Sequence, residues 1–255
     1  MPGVIRTYFL PQLVDPASLV GGVAVIIDQL RASTTICAAL VSGATGVIPC
    51  LTPEDATRAK AAAPAGSVLT GGEREGVLIT GFDLDNSPAS YTRERVGGRT
   101  IAFTTTNGTK AAVLARHGEA MVVGCLGNLD AITRHLGVDE RPVHIICAGT
   151  RDRVSKEDVG AAGAIAERLV AMGRPANLPD ARPDDDSTII AMNLWRTVRE
   201  QPGGVLELMR TSRGGRNLTR EKLTGDIDLC ARVDAYPVVP VFDFQRGAFV
   251  LATSS

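Results

Sequence analysis

Apolar residues fall in short, nearly unbroken runs separated by polar loops and by segments of helical spacing. Gly22 to Asp28 is a continuous β-branched run, the pattern of a strand covered on both faces. Ile101 to Phe103 and Val143 to Cys147 read the same way, and Val4 to Leu10, Gly46 to Cys50 and Ala120 to Cys125 predict further strands. Val238 to Phe242 and Ala248 to Leu251 predict two closing strands. Helices are predicted at Ile36–Leu40, Pro53–Ala63, Ala111–Ala115, Leu129–Leu136, about 157–172, Ser187–Glu200 and Val205–Met209. A strand, a polar loop and a helix recur at 22–40, 98–116 and 142–171. Such repetition predicts an α/β fold: a three-layer α/β/α arrangement with a mixed, largely parallel sheet in one domain spanning 1–255. The Pro- and Asp-rich stretch near 173–186 predicts a surface excursion.

In sheets of this kind the loops after strand ends gather at one edge, where ligands bind. The loop after Phe103 stands out. Thr104, Thr105, Thr106, Asn107, Gly108, Thr109 and Lys110 join an apolar strand to a helix. Small hydroxyls, a glycine that permits close backbone approach, a helix start and a lysine together make an anion site. A helix N-cap needs only one of these residues.

Acids at other strand ends supply the complementary chemistry. Asp28 closes a wholly apolar strand, an expensive place for a charge unless it is paired or binds a metal. Glu73 sits among glycines and Asp158 at a predicted helix start. Oxygen ligands without neighbouring histidines suit Mg²⁺ rather than zinc, and His117, His135 and His144 fall in or beside helices and strands as structural residues. Arg31 and Arg74 lie next to the acids, where a guanidinium suits a phosphate or sulfonate. A salt bridge to Arg31 or a local turn remains the simpler reading of Asp28.

Composition narrows the partners. The chain of 255 residues has a net charge of -1 and 4% aromatic residues, which argues against a nucleic-acid or membrane surface and for a small anionic substrate. The first residues lack the charged-then-apolar pattern of a secretory signal, and no apolar run approaches a bilayer span. Five cysteines, widely spaced and without a C-x-x-C pair, predict reduced buried thiols and a cytoplasmic setting. A homo-oligomer is left open.

Several motifs compete with this reading. Asp83 and Asp85 imitate the D-x-D of haloacid-dehalogenase-type phosphatases, but Gly81 and Pro88 flank them where a long strand should end. Cys147 and Arg153 have the spacing of thiolate phosphatases, yet Asp152 would put a negative charge in the cradle. Ser212 to Asn217 is a short basic loop, read as a helix C-cap in preference to a flap over substrate.

The ordered set Asp28-x-x-Arg31-Ala32-Ser33-Thr34-Thr35, Gly72-Glu73-Arg74, Gly81-Phe82 with Asn86-Ser87-Pro88, Thr105-Thr106-Asn107-Gly108-Thr109, Cys147-Ala148-Gly149-Thr150, Glu157-Asp158 and Asp226 before Cys230 resembles the Mg²⁺-dependent 2-phosphosulfolactate phosphatases over roughly residues 5–240. The resemblance implies hydrolysis of (2R)-2-phospho-3-sulfolactate to (2R)-3-sulfolactate and phosphate, a step towards coenzyme M or sulfolactate. Combined with the residues' own chemistry it yields a site in which Asp28, Glu73 and Asp158 bind Mg²⁺. Arg31, Arg74, Thr105, Thr106, Asn107, Gly108 and Thr109 hold the anionic groups there. Asp28, Arg31, Asn107 and Lys110 act on the phosphoryl group, by direct water attack or through a phosphoenzyme. The alternatives are a haloacid-dehalogenase-like phosphohydrolase and a non-catalytic anion-binding domain.

Overall fold

The computed structural model describes residues 4–172 and 186–252. Its strands are β1 (Ile5–Tyr8), β2 (Val23–Ile27), β3 (Gly46–Pro49), β4 (Val68–Arg74), β5 (Val77–Leu78), β6 (Thr100–Thr104), β7 (Ala120–Val123), β8 (Val143–Cys147), β9 (Pro240–Asp243) and β10 (Ala248–Leu251). The helices are α1 (Ala32–Val41), α2 (Pro53–Ala61), α3 (Arg93–Val96), α4 (Gly108–Ala115), α5 (Leu129–Gly137), α6 (Lys156–Ala171), α7 (Asp186–Arg199), α8 (Gly204–Thr211), α9 (Arg213–Arg220) and α10 (Thr224–Cys230). Apart from Asp186, which opens α7, the excursion expected near 173–186 lies outside the described residues.

All strands join one mixed sheet in the order β1-β8-β2-β7-β9-β10-β3-β6-β4-β5. β1, β8, β2 and β7 run parallel, as do β3, β6 and β4. The β9–β10 hairpin separates these two halves and pairs antiparallel with each, through Val122–Val241 on one side and Val47–Phe249 on the other. Three antiparallel steps in succession reverse the strand sense, so the halves run in opposite directions. In a flat sheet their strand C-termini would lie on opposite edges. They meet because the sheet curls about α1 and α4, and the single-pair seams beside the hairpin allow the turn.

Side-chain alternation records the curl. Val23, Val25 and Ile27 of β2 face a core shared with Leu129, Ile132, Ile165, Leu169 and Trp195 from α5, α6 and α7. Ala24 and Ile26 face the other way, into a core that also holds Val47, Ile101 and Phe103 from the opposite half and Ile36 and Ala112 from α1 and α4. A smaller cluster of Cys50, Ala56, Val68 and Ala102 seats α2 on the outer face of the second half. Helices thus cover the sheet on both faces, which is the expected layering.

Two local differences from the sequence reading matter for the site. β4, a strand absent from the predicted set, runs from Val68 through Gly71 and Gly72 to Arg74. Ser212 is the C-cap of α8, as expected, but its hydroxyl also accepts the Gly215 N–H and so caps the N-terminus of a further helix, α9. The polar sequence of Arg213–Arg220 gives that helix no apolar pattern to mark it.

Gly72 lets β4 and β6 pair closely beside the site. It has φ +133°, and a Cβ there would lie 1.9 Å from the carbonyl oxygen of its partner Thr104. Gly72→Ala should therefore cost roughly 2–5 kcal/mol from strain and overpacking. Urea unfolding of the variant and the parent checks this; equal midpoints would show that β4 and β6 can separate freely.

Candidate active site

The strand ends surround a cleft lined by Asp28, Leu30, Arg31, Glu73, Glu75, Gly76, Asn86, Thr106, Asn107, Thr150, Arg151, Gly214, Asn217, Leu218 and Glu221. Both sheet halves contribute. Asp28 and Arg31 follow β2, Glu73 ends β4, Thr106 and Asn107 follow β6, and Thr150 and Arg151 follow β8. Gly214 and Asn217 of α9 close the far wall.

Asp28 is buried at the tip of β2. Its backbone N–H donates to the Ser33 hydroxyl, while its carboxylate receives only a long 3.4 Å approach from the Ala32 N–H. Burial and the negative charge of Glu73, with a smaller push from Glu157, raise its pKa to about 7 against the pull of the Ala32 amide and Arg31. Gly108 permits the α4 N-terminus to approach: a Cβ on it would stand 2.9 Å from Asp28 Oδ2.

Glu73 is fastened more firmly. Its Oε1 accepts the Thr106 N–H at 2.8 Å, and its Oε2 accepts the Gly76 N–H at 2.6 Å and the Thr106 hydroxyl at 3.2 Å. One carboxylate therefore holds both the turn after β4 and the loop after β6. Arg31 follows a cis Leu30–Arg31 peptide and is also buried. Its Nη1 donates to Asp226 Oδ2 at 2.5 Å and its Nη2 to the Gly76 carbonyl at 2.8 Å. Asp226 is steadied in turn by the Ser87 hydroxyl at 2.5 Å. A guanidinium has five N–H groups in a rigid fork, so Arg31 keeps donors beyond these two.

Of the residues expected in the site, Asp28, Arg31, Glu73, Thr106 and Asn107 meet around the cleft, and others do not. Arg74 turns away to the Glu73 and Leu51 carbonyls and the Thr104 hydroxyl. Adjacent residues on a strand point to opposite faces, so Glu73 and Arg74 could not both face the cleft. Lys110 is well exposed and pairs with Asp152 at 3.2 Å. Thr105 and Thr109 bond to one another beneath the loop, and with Gly108 they line a separate apolar hollow near Phe103 and Ile26. Asp158 commits both oxygens to backbone amides, Oδ1 to Gln29 and Oδ2 to Gly149, at 2.8 and 2.9 Å. It ties the ends of β2 and β8 together behind the cleft.

The motifs already held three residues whose place the structure reveals. Asn86 lines the cleft with its side-chain oxygen buried and unpartnered. Glu157 is buried with Oε1 on the Gly214 N–H and Oε2 unpartnered. Asp226 positions Arg31. The signal was present in Asn86-Ser87-Pro88, in Glu157 beside Asp158, and in Asp226 before Cys230.

The competing motifs are structural. Asp83 is pushed up by burial, but the Lys60 ammonium and the Thr70 amide and hydroxyl hold it below the usual carboxylate range. Asp85 accepts the Ser87 N–H in a local turn. Neither lines the cleft. Cys147 is buried, and burial together with Asp158 and Glu157 drives its thiol well above the ordinary value, the reverse of what a thiolate nucleophile needs.

A hard divalent cation suits this donor set. Among the described residues no group of three or more His, Cys, Asp or Glu side chains stands ready as a metal cage. Mg²⁺ does not require one: it is commonly held by one or two carboxylates, waters and substrate oxygens. Asp28, Glu73 and the unpartnered Asn86 oxygen face the cleft with that chemistry. No helix among the described residues is long and apolar enough to cross a membrane.

The profile of the 2-phosphosulpholactate phosphatase family matches residues 8–245. A probable 2-phosphosulfolactate phosphatase of Symbiobacterium thermophilum is 42% identical over 90% of this chain and 95% of its own length. Similarly described proteins of Deinococcus radiodurans and Caldanaerobacter subterraneus are 39% and 34% identical, covering 88% and 92% of this chain and 89% and 94% of their own. With the site geometry and the match extending over nearly all of its length, the chain belongs to the 2-phosphosulfolactate phosphatase family.

Proposed function

We propose that the cleft hydrolyses the phosphate monoester of (2R)-2-phospho-3-sulfolactate to (2R)-3-sulfolactate and phosphate with Mg²⁺ as cofactor. The observation that carries this reading is the meeting of two buried carboxylates, Asp28 and Glu73, with the buried Arg31 guanidinium in one cleft. Asp28, Glu73 and the Asn86 side-chain oxygen would hold the cation, directly or through water. Bound there, Mg²⁺ supplies charge neutralisation at the phosphoryl oxygens and acidifies a bound water. Asp158 does not line the cleft, and it sets the backbone of the adjoining loops rather than reaching the cation.

Arg31 binds the phosphoryl oxygens with its remaining donors, held in place by Asp226 and Ser87. The α4 N-terminus at Asn107 and Gly108 presents amides that lack intrahelical acceptors and favours the same anion. Asp28, whose carboxylate is short of hydrogen bonds, also orients the attacking water. Lys110, outside the cleft, adds only a general positive charge near its mouth. Substrate recognition by this constellation is a matter of position and charge, as in phosphoryl transfer generally.

Phosphate release from 2-phosphosulfolactate should require added Mg²⁺ and stop in EDTA. No turnover with any divalent cation would sink the phosphatase reading and leave an anion-binding domain. Asp28→Asn should lower kcat by at least about 10²-fold, the scale of a lost acid–base group. Asp83→Asn should retain turnover, and its loss there with Asp28→Asn still active would restore the dehalogenase-type mechanism.

Stability should move the other way at Asp28. Its folded pKa lies near 7, above the ordinary aspartate value of 3.8, so the folded protein binds the extra proton and loses stability as pH rises between those values. Removing the carboxylate lifts that penalty, at most about 4 kcal/mol at pH 8. In EDTA, Asp28→Asn should raise Tm relative to the parent at pH 8, with a smaller gain at pH 5. A gain that grows on acidification would contradict the assigned burial of charge.

A further inference from the structure

One cation at the cleft mouth has no role in the phosphoryl chemistry above. Arg151 follows β8 and lines the cleft half-exposed, opposite Glu75 on the turn after β4. Its Nη2 stands 3.5 Å from Glu75 Oε1, a loose pair between two exposed side chains of the kind that contributes little. Its backbone is better fixed: the Arg151 N–H donates to Asn107 Oδ1 at 3.0 Å. The loop carrying Arg151 is therefore anchored to the phosphate end of the cleft while its guanidinium stays exchangeable. Arg151, Asp152 and Glu75 all have left-handed backbones, with φ of 51°, 56° and 55°. Non-glycine residues rarely adopt that conformation, and here it marks both lips of the same opening.

We propose that Arg151 is the specificity-determining residue for the substrate's sulfonate, which displaces Glu75 from the guanidinium on binding. The inference rests on the phosphatase reading and adds to it the group that reads the second strong anion. Of the two acidic groups flanking the phosphorylated carbon, the carboxylate is the harder ligand and sides with the cation and Glu73. The sulfonate is permanently charged and weakly hydrated, as is a guanidinium, and its oxygens match the planar fork. Arg31 cannot serve both anions, because Asp226 and the Gly76 carbonyl hold it at the cleft floor. Glu75 competes with the sulfonate for the guanidinium and so limits how much affinity that anion gains.

The test compares the parent with Arg151→Gln, Arg151→Lys and Glu75→Gln. 2-Phosphosulfolactate and 2-phospholactate, which lacks the sulfonate, serve as substrates in the presence of Mg²⁺. A lost charge-assisted contact of about 1.5–3 kcal/mol corresponds to roughly 10- to 100-fold. Arg151→Gln should lower the kcat/KM ratio of the first substrate over the second by that factor, mostly through KM. Arg151→Lys should restore part of the ratio, and Glu75→Gln should raise it. Sulfolactate and lactate binding, followed by calorimetry, gives a readout independent of turnover, and there too Arg151→Gln should erase the preference for sulfolactate. An unchanged ratio and unchanged product preference in Arg151→Gln overturn the proposal. Arg151-dependent sulfolactate binding in a protein without turnover would sink the phosphatase reading but keep the sulfonate assignment.

Discussion

The architecture of the cleft depends on how four neighbouring buried acids are compensated. Asp28, Glu73, Glu157 and Asp158 lie close enough that Glu73 and Glu157 raise Asp28, and Glu157 and Asp28 raise Asp158. Buried charges of one sign are tolerated only when hydrogen bonds or cations answer them. Here the answers come mainly from backbone amides on other segments. Glu73 draws in Gly76 and Thr106, Asp158 draws in Gln29 and Gly149, and Glu157 draws in Gly214. Each acid thereby fastens a loop from a different strand or helix. The curled sheet brings the loops near, and the carboxylates lock them in register.

Asp28 is the exception within this set. Its carboxylate has only the distant Ala32 amide and the partial compensation of Arg31, whose own closest acid is Asp226. A carboxylate left so poorly satisfied is costly to the apo fold and available to a ligand. The unpartnered oxygens of Asn86 and Glu157 belong to the same economy of unmet bonds. Instability concentrated at these atoms is what a cation and a phosphoryl group would relieve, and it explains why the site's strongest acid–base candidate is also its least comfortable residue.

Periodicity made the βα units and the strand-end placement of Asp28 and Thr106 legible, because continuous β-branched runs and polar stops are local features; Glu73, read among glycines, closes a strand that no such run announced. The reversal between the sheet halves was not legible. It arises from the late hairpin β9–β10 entering between β7 and β3, a long-range pairing with no local mark. Within the site, side-chain direction separated hits from misses. Glu73 faces in and Arg74 out, and Thr106 faces the cleft while Thr105 lies beneath it, as strand-like alternation demands. Asp158 and Glu157 shared one motif, and only the fold shows that the first is spent on amides while the second has an oxygen to spare. Arg151 carried no signal, since an arginine in a polar loop is ordinary until its neighbour across the opening is known.

Charge at the cleft supplies the last constraint on the chemistry. Four acids line it, Asp28, Glu73, Glu75 and Glu221, against two arginines, Arg31 and Arg151. Such a lining, formally two negative charges in excess when all are ionised, repels a substrate carrying phosphate, carboxylate and sulfonate. A divalent cation between Asp28 and Glu73 would cancel that excess and keep Asp28 ionised, whereas without the cation Asp28 takes up a proton near neutrality. Exchange of Glu75 for a sulfonate at Arg151 keeps the arginine paired throughout, and the displaced Glu75 carboxylate, already well exposed, is left to water. The acidic lining thus selects against anions that arrive without the cation, and the Arg151–Glu75 pair selects among those that arrive with it.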